Sequence, residues 1–145
     1  MQENTGNRSL IYDQSAVIPF RFVENNVKVM LITTRRSRRW IIPKGLIEDD
    51  MTAADSAEME AFEEAGIRGH VYPELIGEYE YQKWGGICQV KVFLMKVATV
   101  LEEWPESFRT RKWMTAEEAE HLVREAKLKK MFQQLDSSIR RVQKS

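Results

Sequence analysis

The sequence of 145 residues lacks several features that mark particular classes of protein. It has a single cysteine, Cys88, so it can form no internal disulfide. No apolar run approaches the roughly 20 residues that a membrane-spanning helix needs. The first residues, MQENTGNRSLIYDQ, also lack the basic region and apolar stretch of a secretory signal. We therefore expect a cytoplasmic protein that does not span a membrane.

Net charge is also lacking, because basic and acidic residues number 22 each. This balance gives no case for general nucleic-acid binding. With 43% hydrophobic and 30% charged residues, the composition is that of a globular protein. The length predicts one domain over residues 1–145, with a polar N-terminal segment over about residues 1–14. The sequence does not distinguish a monomer from a homodimer.

Apolar, β-branched runs separated by turn residues predict several strands. AVIPFRFV and VKVMLITT flank the turn-like ENN and predict a hairpin. WIIP predicts a short third strand that ends at Pro43 and Gly45. HVYPELIGEYEYQKW and ICQVKVFLMKVATV predict two long strands joined by a turn at Gly85 and Gly86.

Two segments of the sequence have the residue spacing of a helix. Alanines 54, 57, 61 and 65 predict a helix over about residues 53–65, with Thr52 and Asp55 at its start and Gly66 as its C-terminal cap. Thr115 and Glu118 form a second capping box, which predicts one or two closing helices. This order of strands and helices predicts an α/β fold in which helices pack on a mixed sheet.

Charge is distributed unevenly along the chain. Residues 45–67 contain eight acidic residues and no Lys or Arg, whereas the preceding RRSRRWIIPK is strongly basic. Glu60, Glu63 and Glu64 are spaced to share about a third of the helix circumference, and clustered oxygen ligands suit Mg²⁺ or Mn²⁺. Neighbouring arginines suit phosphates. The alternative is a scaffold whose acidic and basic faces are only solvated.

The acidic segment resembles the signature of the Nudix hydrolases, G-x5-E-x7-R-E-U-x-E-E-x-G-U, in which U is apolar. The spacing fits without a gap. The matching residues are Gly45, Glu60, Ala61, Glu63, Glu64, Gly66 and Ile67. Met51 stands where the signature has its first Glu, and Met59 stands where it has Arg.

The resemblance implies an α/β/α sandwich and a metal-dependent hydrolase. Glu60, Glu63 and Glu64 would hold Mg²⁺, or Mn²⁺, with the Gly45 carbonyl as a further ligand. Glu60 or Glu63 would also act as the base. The implied reaction is hydrolysis of a diphosphate linked to another moiety, in which water attacks phosphorus.

The two departures from the signature bear on whether the site is active. The signature Glu at position 51 and the signature Arg at position 59 are lost together, which leaves no lone buried charge. We therefore interpret the site as modified but active. The alternative is a degenerate Nudix domain that binds a phosphorylated ligand without turnover.

The flanking segments resemble the diphosphoinositol polyphosphate phosphohydrolase branch of the family. TTRRSRRWIIPKG carries an Arg before its Trp-Ile-x-Pro segment, and VLEEWPESFRTRKWM carries Glu-x-Trp followed by a basic pair before a second Trp. Together with the basic stretch, this resemblance implies a set of substrate-binding residues: Arg35, Arg39, Lys44, Arg111 and Lys112.

One departure bears on the substrate. Cys88 and Gln89 stand where animal members of that branch carry a His-Arg pair. Fewer cations favour a less densely phosphorylated substrate, so dinucleoside polyphosphates are favoured over diphosphoinositol polyphosphates. Because arginine clusters also bind RNA, an RNA 5′-end pyrophosphatase stays open. Trp84 would stack on a base if the substrate is a nucleotide.

Overall fold

The computed structural model describes residues 10–144, which form one eight-stranded sheet and its flanking helices. The strands are β1 (Leu10–Val23), β2 (Asn26–Thr33), β3 (Trp40–Ile41), β4 (Lys44–Leu46), β5 (Ile67–Val71), β6 (Gly77–Lys83), β7 (Gly86–Val100) and β8 (Arg111–Met114). The helices are α1 (Ala53–Glu60), which continues as a π-helical turn (Ala61–Ala65), α2 (Ala116–Leu122), α3 (Ala126–Gln133) and α4 (Leu135–Lys144).

The sheet is mixed, as the sequence predicts. Its main path runs β3-β2-β1-β7-β5, with β4 also paired to β1, β6 to β7 and β8 to β2. The long central pair β1 and β7 is parallel, with Ile18 opposite Leu94, and every other pair is antiparallel.

Two apolar layers cover the two faces of the sheet. Successive residues of a strand point to opposite faces, so Ile18 and Phe20 pack with the closing helices whereas Val17 packs with the alanines of α1 and the π turn. Ala57, Ala61 and Ala65 are fully buried, and their small side chains let this helix approach the sheet closely. The α/β/α sandwich is confirmed.

The predicted turns and caps form as expected. Glu24 and Asn25 make the β1–β2 turn with φ of 51° and 68°. The Thr52 side chain accepts a hydrogen bond from the Asp55 N–H at 3.1 Å, and Gly66 ends the π turn with φ of 65°. The capping box at the start of α2 is complete.

Two strand predictions need correction because backbone pairing depends on distant partners. HVYPELIGEYEYQKW forms two strands, β5 and β6, which pair with different stretches of β7; Pro73 has no N–H to donate to a ladder. Lys44–Leu46 forms β4 against β1 although the sequence places a strand end at Pro43 and Gly45.

Three further details differ from the sequence-based predictions. Leu10 already pairs with Gly86, so β1 begins inside the predicted polar segment, whose first nine residues lie outside the described part of the chain. Arg111–Met114 forms β8 on β2. Within residues 10–144, three helices follow β8, rather than the one or two that the sequence predicts. No helix within residues 10–144 is long and apolar enough to cross a membrane.

Candidate active site

A cleft of about 760 Å³ lies where the loops after β2 and β6 meet β4 and the acidic helix, a name used here for residues 53–65. Six cations and three carboxylates line it. The cations are Arg35, Arg36, Arg39, Lys44, Lys83 and Arg109, and the carboxylates are Glu48, Glu60 and Glu64. The basic and acidic blocks of the sequence therefore face one common space.

Glu60 lies directly against the backbone of Gly45. A Cβ atom added at Gly45 would be only 2.2 Å from Cδ of Glu60 and 2.4 Å from its Oε2. The strand β4 fixes this backbone, because Gly45 pairs with Ser15 of β1. The absence of a side chain at Gly45 therefore leaves room for this position of the carboxylate, which packs against the strand.

Glu64 is buried and held from two sides. Its Oε1 accepts a hydrogen bond from the Lys44 N–H at 3.1 Å. Its Oε2 lies 3.7 Å from Nη2 of Arg109. Only 9% of the residue is exposed, so its orientation is fixed by the protein rather than by solvent.

Glu63 does not line the cleft with the other two acids. The chain adopts π winding at Ala61–Ala65, so that the Gly66 N–H reaches back to the carbonyls of Ala61 and Phe62. Glu60 and Glu64 line the cleft together, whereas Glu63 is absent from its lining although its charge still repels that of Glu60. The role of Glu63 as a metal ligand stays a prediction. Among residues 10–144, no three His, Cys, Asp or Glu side chains form a ready metal cluster.

The burial of the two converging acids changes their acidity. Burial raises the pKa of Glu60 to about 8, and repulsion by Glu64 and Glu63 adds to the shift. Burial likewise raises the pKa of Glu64 to about 7, against the opposing effects of Arg109 and the Lys44 N–H. Burial and the acidic neighbours both disfavour the ionised form of Glu60, and a bound cation would offset both effects.

The predicted substrate residue Arg111 lies elsewhere. Its guanidinium donates hydrogen bonds to the carbonyls of Ala65, Gly66 and Leu101 and stacks over the Trp104 ring at 3.8 Å. Arg111 thus donates to carbonyls at the end of the acidic helix, where the last carbonyls have no partner within the helix. Trp104 does the same, because its Nε1 donates to the Glu64 carbonyl at 3.0 Å.

Lys112 does not reach the cleft either. It is exposed on β8, opposite Leu31. Neighbouring residues of a strand point to opposite faces, so Arg111 and Lys112 could not both serve one site. Of this basic pair, Arg111 therefore holds the end of the acidic helix in place, and Lys112 is exposed to solvent.

Arg35, Arg39 and Lys44 do line the cleft, and their role in substrate binding stays a prediction. The loop that carries the first two is closed by the Thr34 N–H, which donates to the Arg39 carbonyl at 2.8 Å. Arg35 lies 4.4 Å from the centre of the Phe108 ring. Burial removes solvent from the Lys44 ammonium group and so lowers its pKa.

Arg109 is a site residue that the sequence did not reveal. It donates to Glu106 Oε1 through Nε at 2.9 Å and lies 2.8 Å from it through Nη2. It also donates to the Thr33 carbonyl at 2.9 Å. A lone Arg in the loop ESFRT belongs to no period or motif. Lys83 likewise belongs to no motif, and Glu48 lies in the acidic segment but at a position that the signature leaves unspecified.

The NUDIX domain family profile matches residues 14–135 of the chain. This chain belongs to the Nudix hydrolase family. The match confirms the family indicated by the acidic signature, and it spans both the acidic helix and the basic loop.

Two curated Nudix relatives illustrate the similarity. Nudix hydrolase 16, mitochondrial, of Arabidopsis thaliana is 34% identical over 70% of this chain and 67% of its own length. Diphosphoinositol polyphosphate phosphohydrolase 3-beta of Bos taurus is 30% identical over 78% of this chain and 73% of its own. The Nudix fold is also found in an Ap4A hydrolase of C. elegans, with a TM-score of 0.75 and 18% identity over 90% of this chain and 99% of that one.

The two departures from the Nudix signature lie together. Met51 and Met59 line a second hollow of about 390 Å³, beside Phe62 and Ile67. Neither lines the cleft. Asp55, Glu58 and Arg68 also line this hollow. The two positions at which the signature has opposite charges therefore lie side by side, as the interpretation of coupled substitutions requires.

The residues of this Nudix cleft fit a divalent metal. Mg²⁺ usually takes one or two protein carboxylates and completes its shell with waters and substrate phosphates. Glu60 and Glu64 supply two carboxylates, and Glu60 lies against the Gly45 backbone, next to the carbonyl that the resemblance names as a ligand. The remaining ligands would then come from the substrate, which explains why no three-acid cluster is needed.

The raised pKa values predict how the metal-free protein responds to pH. Between about pH 4.5 and 8 the fold retains protons on Glu60 and Glu64 that the unfolded chain has released, so the unfolding free energy should fall as pH rises. Thermal denaturation with a chelator from about pH 5 to 9 measures this slope. Glu60→Gln should flatten it, and an unchanged slope in that variant would contradict the assignment.

Proposed function

We propose that this protein hydrolyses a diphosphate linkage in a nucleoside or inositol polyphosphate, with Mg²⁺ or Mn²⁺ as its cofactor. The observation that carries the proposal is one cleft in which Glu60 and Glu64 face six cationic side chains. Nucleic acid as a general ligand and membranes are not implied. Localisation to the cytoplasm and the choice between monomer and homodimer stay predictions.

The cations account for binding of a polyanion. Arg35, Arg36 and Arg39 belong to the loop after β2. Lys44 belongs to β4 and Lys83 to β6, and all five residues line the cleft. Guanidinium groups pair with phosphate oxygens in a fork geometry. This arrangement would orient a polyphosphate so that one phosphorus atom lies beside the two carboxylates.

The carboxylates account for the hydrolytic step. When bound, a divalent metal neutralises phosphate charge and makes water more acidic. Water then adds to phosphorus, the bond to the bridging oxygen breaks, and that oxygen leaves with the second phosphate. A carboxylate must take the proton of the water. Glu60 suits this role better than Glu63, because only Glu60 lines the cleft.

The proposal is tested by turnover of a panel with Mg²⁺ or Mn²⁺. The panel contains diadenosine polyphosphates, inositol pyrophosphates, ADP-ribose, nucleoside triphosphates and triphosphorylated RNA. We expect hydrolysis of a diphosphate linkage, and a loss of at least about 100-fold in Glu64→Gln. Glu58→Gln is the matched control, since Glu58 is exposed on the same helix and outside the cleft; its rate should be unchanged.

Other outcomes identify the alternatives. Metal and ligand binding without turnover of any panel member would mean that the domain recognises a phosphorylated ligand, as the loss of the signature Arg allows. Turnover of triphosphorylated RNA alone would identify a 5′-end pyrophosphatase. Absence of both binding and turnover would leave a scaffold with solvated acidic and basic faces.

A further inference from the structure

Trp84 lies at the tip of the β6–β7 hairpin, beside the candidate active site. It lines the cleft together with Lys83 and Gln82. The residue is 51% exposed, so burial in the core does not explain a ring of this size. An exposed tryptophan at the mouth of a polar cleft is available to a ligand.

The backbone at Trp84 is unfavourable for tryptophan. Trp84 and Gly85 form the two-residue turn with φ of 57° and 70°. Hairpin turns with positive φ at both positions strongly prefer Asn-Gly, and a bulky residue is an outlier at the first of them. Folding alone would therefore favour Asn, and the tryptophan at this position points to a role for its ring.

Neighbouring groups hold the indole at the edge of the cleft. The Tyr12 hydroxyl donates to the Trp84 carbonyl at 3.3 Å, and the two rings meet edge to face with centroids 5.2 Å apart. The Lys83 ammonium lies 4.7 Å from the centre of the Trp84 ring. A flexible lysine over an exposed ring is easily displaced, and its charge would then be available to a phosphate.

We propose that Trp84 is a stacking platform for a nucleobase, so that the substrate is a nucleoside or dinucleoside polyphosphate rather than an inositol polyphosphate. The inference rests on the proposed function, because the phosphates of the same molecule occupy the cleft. A nucleobase is planar and stacks on an aromatic ring. The ring of inositol is saturated and offers no such face, and its phosphates would need cations on every side.

Replacing Trp84 with Asn separates stacking from stability, because Asn suits the turn. We expect Trp84→Asn to fold with an equal or higher Tm, and its KM for a diadenosine polyphosphate to rise about tenfold with little change in kcat. Trp84→Phe should keep most of the affinity, since an aromatic face remains. An inositol pyrophosphate and inorganic tripolyphosphate, which lack a base, should bind both variants as they bind the unmodified protein.

Failure of this inference differs from failure of the proposed function. An unchanged KM for the diadenosine polyphosphate in Trp84→Asn would overturn the platform while leaving the hydrolase intact. If the unmodified protein hydrolyses nothing, calorimetric titration with the diadenosine polyphosphate still compares its affinity with that of Trp84→Asn. Equal weakening of the base-free ligands would also overturn the platform, because it would show a general disturbance of the cleft.

Discussion

Replacing Gly45 with Ala should reduce diphosphate hydrolysis at least about 100-fold while leaving the protein folded. The added methyl group would lie 2.2 Å from Cδ of Glu60, so the carboxylate must move. Displacement of a catalytic group by about 1 Å can cost this much. The fold should survive, because the overlap involves the end of a flexible side chain. Steady-state kinetics and thermal denaturation of the variant measure the two effects.

Gly77→Ala is the matched control for this substitution. The added methyl group would meet only the end of the Met131 side chain, 2.7 Å from its Cε, and Gly77 does not line the cleft. Its hydrolysis rate should equal that of the unmodified protein. If Gly45→Ala is fully active, Glu60 need not lie against β4 and its assigned role is wrong.

Replacing Arg109 with Met should destabilise the fold by about 3 kcal/mol and weaken metal binding at neutral pH. The side chain is only 10% exposed and serves Glu106, Glu64 and the Thr33 carbonyl together. Its charge lowers the pKa of Glu64, so its removal leaves more Glu64 protonated near pH 7. Chemical denaturation gives the stability, and titration with Mn²⁺ gives the affinity.

Two comparisons make the Arg109 prediction specific. Arg109→Lys keeps a charge near Glu64, so it should retain most of the metal affinity. The Mn²⁺ affinity of Arg109→Met should recover toward pH 9, where Glu64 is ionised again. A loss of affinity that is the same at both pH values would show that Arg109 does not act through the ionisation of Glu64.

The segment between β7 and β8 explains why Arg111 lies outside the cleft, contrary to its predicted role. Its residues donate hydrogen bonds to the carbonyls at the end of the acidic helix. The Glu106 N–H donates to the Glu63 carbonyl, and the Leu101 N–H donates to the Gly66 carbonyl. Trp104 and Arg111 complete the same brace. Features that resemble a substrate-binding motif thus hold the position of the acidic helix.

The sequence predicted those parts of the fold that depend on local interactions. The acidic helix follows from alanine spacing and from caps at Thr52 and Gly66, which need only nearby residues. The sequence could not predict that HVYPELIGEYEYQKW forms two strands or that Lys44–Leu46 joins the sheet. Those assignments depend on pairing with β7 and β1, which are distant in the chain.

By itself, the sequence determined the family, the α/β class, the acidic helix and the juxtaposition of a basic loop with it. Tertiary structure alone decided which charged residues share the cleft. It placed Glu60, Glu64 and Arg109 on the lining of the cleft and left Arg111 and Lys112 outside it. The physical reason is that local spacing sets which face a side chain occupies on its own element, whereas packing between elements sets what that face meets.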